Sequence, residues 1–177
     1  MVQRLRHFGS RLHRLETRAT HSFRVAGLAL LITLVSGSAS ACQAANELPA
    51  DVVAAMKNGK SFELYSIEPI GRKDARETIQ GYPVIGKTAV AEQARTTLID
   101  ALQKGVAGSN GEVAGCFNPR HAIRVAHDGK TYDLVICFEC LQIEIFIDNT
   151  RRKAVLTTGK PKNTFDNVLT EAKVKLE

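Results

Sequence analysis

HAIRVAHDGKTYDLVICFECLQIEIFID, residues 121–148, decides the fold. Two runs of period two, His121 to Ala126 and Thr131 to Phe138, flank Asp128-Gly129, the dipeptide of a two-residue hairpin turn. With those two residues as the loop, Val125 opposes Tyr132, Ile123 opposes Leu134, and Arg124 faces Asp133 as a cross-strand ion pair. A third run follows in which Leu141, Ile143, Ile145 and Ile147 alternate with Gln142, Glu144 and Asp148. That is a strand with one wet face, and Phe146 is its exception.

Outward from this hairpin the period changes. Leu48, Val52, Val53 and Met56 share one side of a helix expected over Pro49 to Lys57, with Gly59 beyond its end. Phe62 to Ile67 reads as a strand ended by Pro69, Gly71 to Gln80 as a polar loop, and Tyr82 to Ile85 as a second strand. The stripe Val90, Ala94, Leu98, Ala101 and Leu102 predicts a helix from Thr88, its cap, to Lys104, stopped by Gly105. Ala154 to Thr158 predicts a last strand. Thr164 to Lys173 predicts a last helix that buries Phe165, Val168, Leu169 and Ala172. The expected class is α+β: a mostly antiparallel sheet of about five strands packed by about three helices, in a single domain over residues 48–177.

Residues 1–41 carry a different signal. Six arginines against Glu16 precede an uncharged apolar run from Val25 to Val35, and small residues follow to Ala41. Eleven helical residues span only about 16 Å, half of a hydrocarbon core, which predicts a signal peptide rather than a transmembrane helix. Ala39-Ser40-Ala41-Cys42 resembles the lipobox of bacterial lipoproteins, which implies cleavage before Cys42, lipidation of its sulfur, and anchoring on the periplasmic side or cell surface. By the same resemblance, Gln43 rather than an aspartate favours the outer membrane. Plain secretion and an uncleaved anchor are the alternatives, and residues 42–47 read as a tether.

The leader supplies +5 of the formal net charge of +6. The remainder carries about +1, without the basic face that nucleic acid requires, so nucleic acid is not an expected partner. Arg72-Lys73 and Arg151-Arg152-Lys153 read as solvated turn surface.

Lipidation of Cys42 leaves Cys116, Cys137 and Cys140, an odd number in an oxidising compartment. In a straight strand Cys137 and Cys140 would stand about 10 Å apart on opposite faces, too far to bridge, and the pair is expected to mark a bulge or bend. Extending the hairpin register past Pro119 instead brings Cys116 near Cys140, and a Cys116–Cys140 disulfide is the favoured link. Reduced core cysteines are a second reading. The third is metal or redox chemistry, since Cys116, His121, Cys137 and Cys140 supply three thiolates and one imidazole, a legitimate zinc set. His121 is expected as a core histidine; the sharper alternative pairs it as a base with Cys116 as nucleophile, with Arg120 binding an anionic intermediate. Ala122 stands where a cysteine phosphatase loop needs arginine, and no serine-hydrolase elbow, phosphate-binding glycine loop, zincin or EF-hand motif occurs.

Cys116-Phe117-Asn118-Pro119-Arg120-His121 and Val135-Ile136-Cys137-Phe138-Glu139-Cys140 together resemble small exported bacterial proteins of uncharacterised function. The resemblance implies a domain type without a reaction. The functional expectation is an exported, lipid-anchored, non-enzymatic binding or structural module with an envelope partner and no cofactor. A thiol or zinc-dependent protein is the alternative.

Overall fold

Seven antiparallel strands in the order β2-β3-β1-β4-β5-β6-β7 form one curled sheet, and three helices lie against one of its faces. The computed structural model describes residues 46–71 and 75–177. The expected signal segment, Cys42, most of the tether and the Arg72-Lys73 pair lie outside the described residues. In chain order the elements are α1 (Ala50–Asn58), β1 (Ser61–Ile67), β2 (Thr78–Ile79), β3 (Tyr82–Ala89), α2 (Glu92–Ala107), β4 (His121–His127), β5 (Lys130–Cys137), β6 (Gln142–Ile147), β7 (Thr150–Leu156) and α3 (Lys162–Glu171). The class is α+β, with seven strands where about five were expected.

The central hairpin has the register read from its turn: Val125 pairs with Tyr132, Ile123 with Leu134 and Arg124 with Asp133. Asp128 and Gly129 both take positive φ, 48° and 75°, the mirror-image turn whose twist matches the strands it joins. Asp148 and Asn149 make the same turn between β6 and β7, and Gln80 and Gly81 make it between β2 and β3.

Alternation divides the side chains between two faces. Phe62, Leu64, Ile123, Val125, Leu134, Ile136, Ile143 and Ile145 meet Met56, Leu98, Leu102, Phe165 and Leu169 of the helices in the main core. On the other face Tyr65, Ile67, Ile79, Ala122 and Val135 form a second buried cluster, joined by Tyr82, Val84, Phe117 and Phe146. Phe146 thus breaks the wet-face pattern because that face has a core of its own. Curling makes this possible: Gln80, in the turn beyond edge strand β2, donates to Asp133 on β5 at 2.7 Å and to Asn149 at 3.1 Å.

Three contacts fasten the helices. Buried Arg95 of α2 donates from Nε to Met56 O at 2.5 Å and from Nη1 to Gly59 O at 3.1 Å, and its guanidinium stands 5.3 Å over the Phe62 ring. It thereby satisfies carbonyls at the C-terminal end of α1, where the helix dipole favours a cation. Asn46 Nδ2 donates to Val106 O at 3.0 Å and to Leu156 O at 2.9 Å, tying the first described residue to α2 and β7. Beyond α3, Val174 sits against Gly86 of β3, where its Cγ1 is only 2.9 Å from the place a Cβ would occupy.

The expected start of α2 at Thr88 moves. Thr88 lies in β3, and the helix begins after Ala91 with no side-chain cap. β7 also extends back over Arg151, Arg152 and Lys153, so this run is an exposed edge strand rather than a turn.

Candidate functional site

The residues singled out in the sequence converge where β4 begins and β5 ends. β5 stops at Cys137, and Phe138 to Cys140 turn the chain into β6 through Leu141, which adopts positive φ (59°). The turn brings the Cα atoms of Cys137 and Cys140 to 5.1 Å, and their sulfurs are bonded to each other. Cys140 N–H donates to Cys137 Sγ at 3.0 Å inside the same turn. The expected Cys116–Cys140 disulfide is therefore corrected. The expected bend at this pair is present, and it is sharp enough to make residues three apart near neighbours, which favours Cys137 over Cys116 as the partner of Cys140.

Cys116 is free and exposed. Its loop nonetheless leans on Cys140 from both sides: Ala114 N–H donates to Cys140 O at 3.2 Å, and Asn118 N–H to Cys140 Sγ at 3.2 Å. Between these contacts and Tyr82, Phe117 packs edge-on with its ring centroid 6.3 Å from the tyrosine. The four-ligand zinc arrangement of Cys116, His121, Cys137 and Cys140 is not assembled. Two of its sulfurs are consumed in the disulfide, and among the described residues no group of three or more His, Cys, Asp or Glu side chains is placed to hold a metal ion.

His121 shares the helix-covered face with Ile136, its cross-strand partner, and is 3% exposed. Its Nε2 lies 2.8 Å from Asp166 Oδ1 of α3, and Lys162 Nζ donates to Asp166 Oδ2 at 2.6 Å. Phe138 and Phe165 pack on the ring with centroids at 5.3 and 5.9 Å. Burial pushes the imidazole below its ordinary 6.5, although Asp166 pulls the other way. Burial raises Asp166, but the hydrogen bonds from Lys162 and His121 outweigh it and hold the carboxyl below its usual value. His121 is thus a polar bolt between β4 and α3, as expected of a core histidine.

Ser66 lies directly across the strand pair from His121, and no sequence signal marks it. Its hydroxyl is buried and has no hydrogen-bond partner among the described residues. Serine, histidine and aspartate therefore stand in a row, with no hydrogen bond between the Ser66 hydroxyl and the imidazole.

Arg120, the expected anion binder, spends its guanidinium on its own chain. Nη1 meets Glu139 at 2.7 Å and Nε meets Glu177. The Glu177 bond leads in raising its pKa.

The opposite face carries the second polar group. Arg124 donates from Nε and Nη2 to the two oxygens of Asp133, each at 2.7 Å, and Gln80 adds a third bond to that buried carboxylate. Tyr65 O–H donates to Glu63 Oε2 at 2.6 Å, and the Lys87 ammonium lies 5.3 Å over the Tyr65 ring while pairing with Glu77 at 2.8 Å. Burial first, and the Glu63 bond second, push the Tyr65 phenol up to about 12.

Neither the family models, nor the curated proteins, nor the solved structures include a match to this chain. Among the described residues no helix is long and apolar enough to cross a membrane.

Proposed function

We propose that the chain is an exported envelope protein, tethered by a lipid on Cys42, whose folded domain is a non-enzymatic binding or structural module facing the periplasm or cell surface. One observation supports the non-enzymatic part: among the candidate groups, all but the exposed Cys116 thiol are paired within the chain. Arg120 is held by Glu139 and Glu177, His121 by Asp166, and Cys137 by Cys140. Such mutual pairing rigidifies this corner of the domain. The leader pattern, small residues up to Ala41 and Cys42 support the tether, and Gln43 favours the outer membrane. A balanced charge beyond the leader agrees with a protein or envelope partner rather than nucleic acid.

Intact mass spectrometry of the full chain, purified from its own envelope, tests this reading. The expected species begins at a di- or triacylated Cys42, and Cys42→Ser moves the protein out of the membrane fraction. An unacylated Cys42 in the membrane-bound chain, or an unchanged distribution of the variant, rules out the lipid tether.

A further inference from the structure

We propose that Cys116 and the Cys137–Cys140 disulfide form one thiol–disulfide exchange centre, in which the exposed Cys116 thiolate attacks the Cys140 sulfur and releases Cys137. The loop that carries Cys116 is docked on its target. Ala114 N–H is bonded to the Cys140 carbonyl and Asn118 N–H to the Cys140 sulfur, each at 3.2 Å, and Cys116 lies two residues from either contact. Two residues of chain span at most about 7 Å, which keeps Cys116 close to both contacts that its loop makes with Cys140, and the exchange requires the loop to turn its sulfur inward. The loop is open beside Cys116: among the described residues, a Cβ built on Gly115 would meet no atom within 4 Å outside its chain neighbours.

The exchange balances without an outside oxidant. The Cys116–Cys140 bond forms as the Cys140–Cys137 bond breaks. The bonding pair leaves on Cys137, which takes up the proton that Cys116 lost, so one disulfide and one thiol remain throughout. The direction of attack follows from the hydrogen bonds. The loop touches Cys140, while Cys137 Sγ accepts the Cys140 N–H at 3.0 Å, a donor that supports negative charge on the departing sulfur. The thiol would thereby move from an exposed loop to the buried end of β5, and the loop would become bound to the turn it now only touches. The inference goes beyond the tethered-module reading and does not depend on it, because all three cysteines lie in the described domain.

The test uses the full chain with Cys42→Ser, so that only these three cysteines remain. Samples are held at about pH 6 and about pH 9, quenched in acid, and mapped as non-reduced peptides. Peptides joined through Cys116 and Cys140 are expected beside those joined through Cys137 and Cys140. Their appearance should be faster at the higher pH, because the thiolate rather than the thiol is the attacking species. In Cys137→Ser, mild oxidation under native conditions should close Cys116 to Cys140 within one molecule, whereas Cys140→Ser should keep two alkylatable thiols. A map of the three-cysteine chain that shows Cys137–Cys140 alone at both pH values, after prolonged incubation, overturns the proposal. So does exchange that joins Cys116 to Cys137.

Discussion

Leu64, Ile123, Leu134 and Ile145 stand side by side across four strands on the helix-covered face, and one residue over on each strand Glu63, Arg124, Asp133 and Phe146 make the equivalent row on the other. Both rows are laid down by one register. The first is held by removal of hydrocarbon from water, which is indifferent to which apolar neighbour stands where. The second is held by neutralisation of particular charges, which is not indifferent at all. A slip of one residue would drive Arg124 under the helices and bring Leu134 out, so the charged row penalises the wrong register more sharply than the apolar row rewards the right one.

The largest effect should come from the apolar row. Leu134→Ala opens a cavity in a fully buried position and is expected to cost about 2–5 kcal/mol in urea unfolding. Asp133→Ala should come next, at about 3 kcal/mol, because it leaves the half-buried Arg124 guanidinium and Gln80 without their acceptor. Asp133→Asn should recover part of that loss through the Gln80 bond. If Asp133→Ala proves neutral, the charged row adds no stability and the contrast between the faces fails.

Acid and alkali should separate the faces as well. His121, on the helix side, has its folded pKa below the ordinary 6.5, so the unfolded chain takes the proton more readily. Its contribution is full above pH 6.5 and is lost as pH falls through the folded value. Urea midpoints measured down that range should decline, and His121→Asn should flatten the decline. Tyr65, in the buried cluster of the other face, has its phenol raised from 10 to about 12. Its contribution is present below pH 10 and is lost as pH rises toward 12, and Tyr65→Phe should remove that alkaline loss. The smallest change belongs to Arg120→Ala, whose partly exposed pairs with Glu139 and Glu177 should contribute no more than about 1 kcal/mol, shrinking in high salt.

Much of this architecture is legible in the sequence where one residue period persists and a turn fixes its phase. Asp128-Gly129 set the pairing of Arg124 with Asp133, and the stripe from Ala94 to Leu102 marked the middle of α2. Its ends were not legible: Val90 continues the stripe in phase but follows β3, and Ala91 supplies no capping side chain. β2 escaped because two residues carry no period, and its place depends on Gln80 reaching partners far along the chain. The basic run in β7 misled for another reason. Phe146 pairs with Arg151 while Ile145 pairs with Lys153, so Arg152 is the extra residue of a bulge. A bulged, cationic edge resists pairing with further strands, and its polarity resembles a turn's. At the cysteine corner the neighbourhood of Cys116 and Cys140 could be extrapolated from the hairpin, but the bonding could not. It turns on the positive φ of Leu141, a backbone choice that leucine does not advertise.

The side chain of Asn46 gives the domain a mechanical joint at its entrance. One amide nitrogen grips the end of α2 and the end of β7, so tension arriving through the preceding chain passes into the helical layer and the sheet together before it reaches the nine residues of α1. Without that grip, the same pull would work on α1 from its free end and peel it turn by turn from α2 and β4.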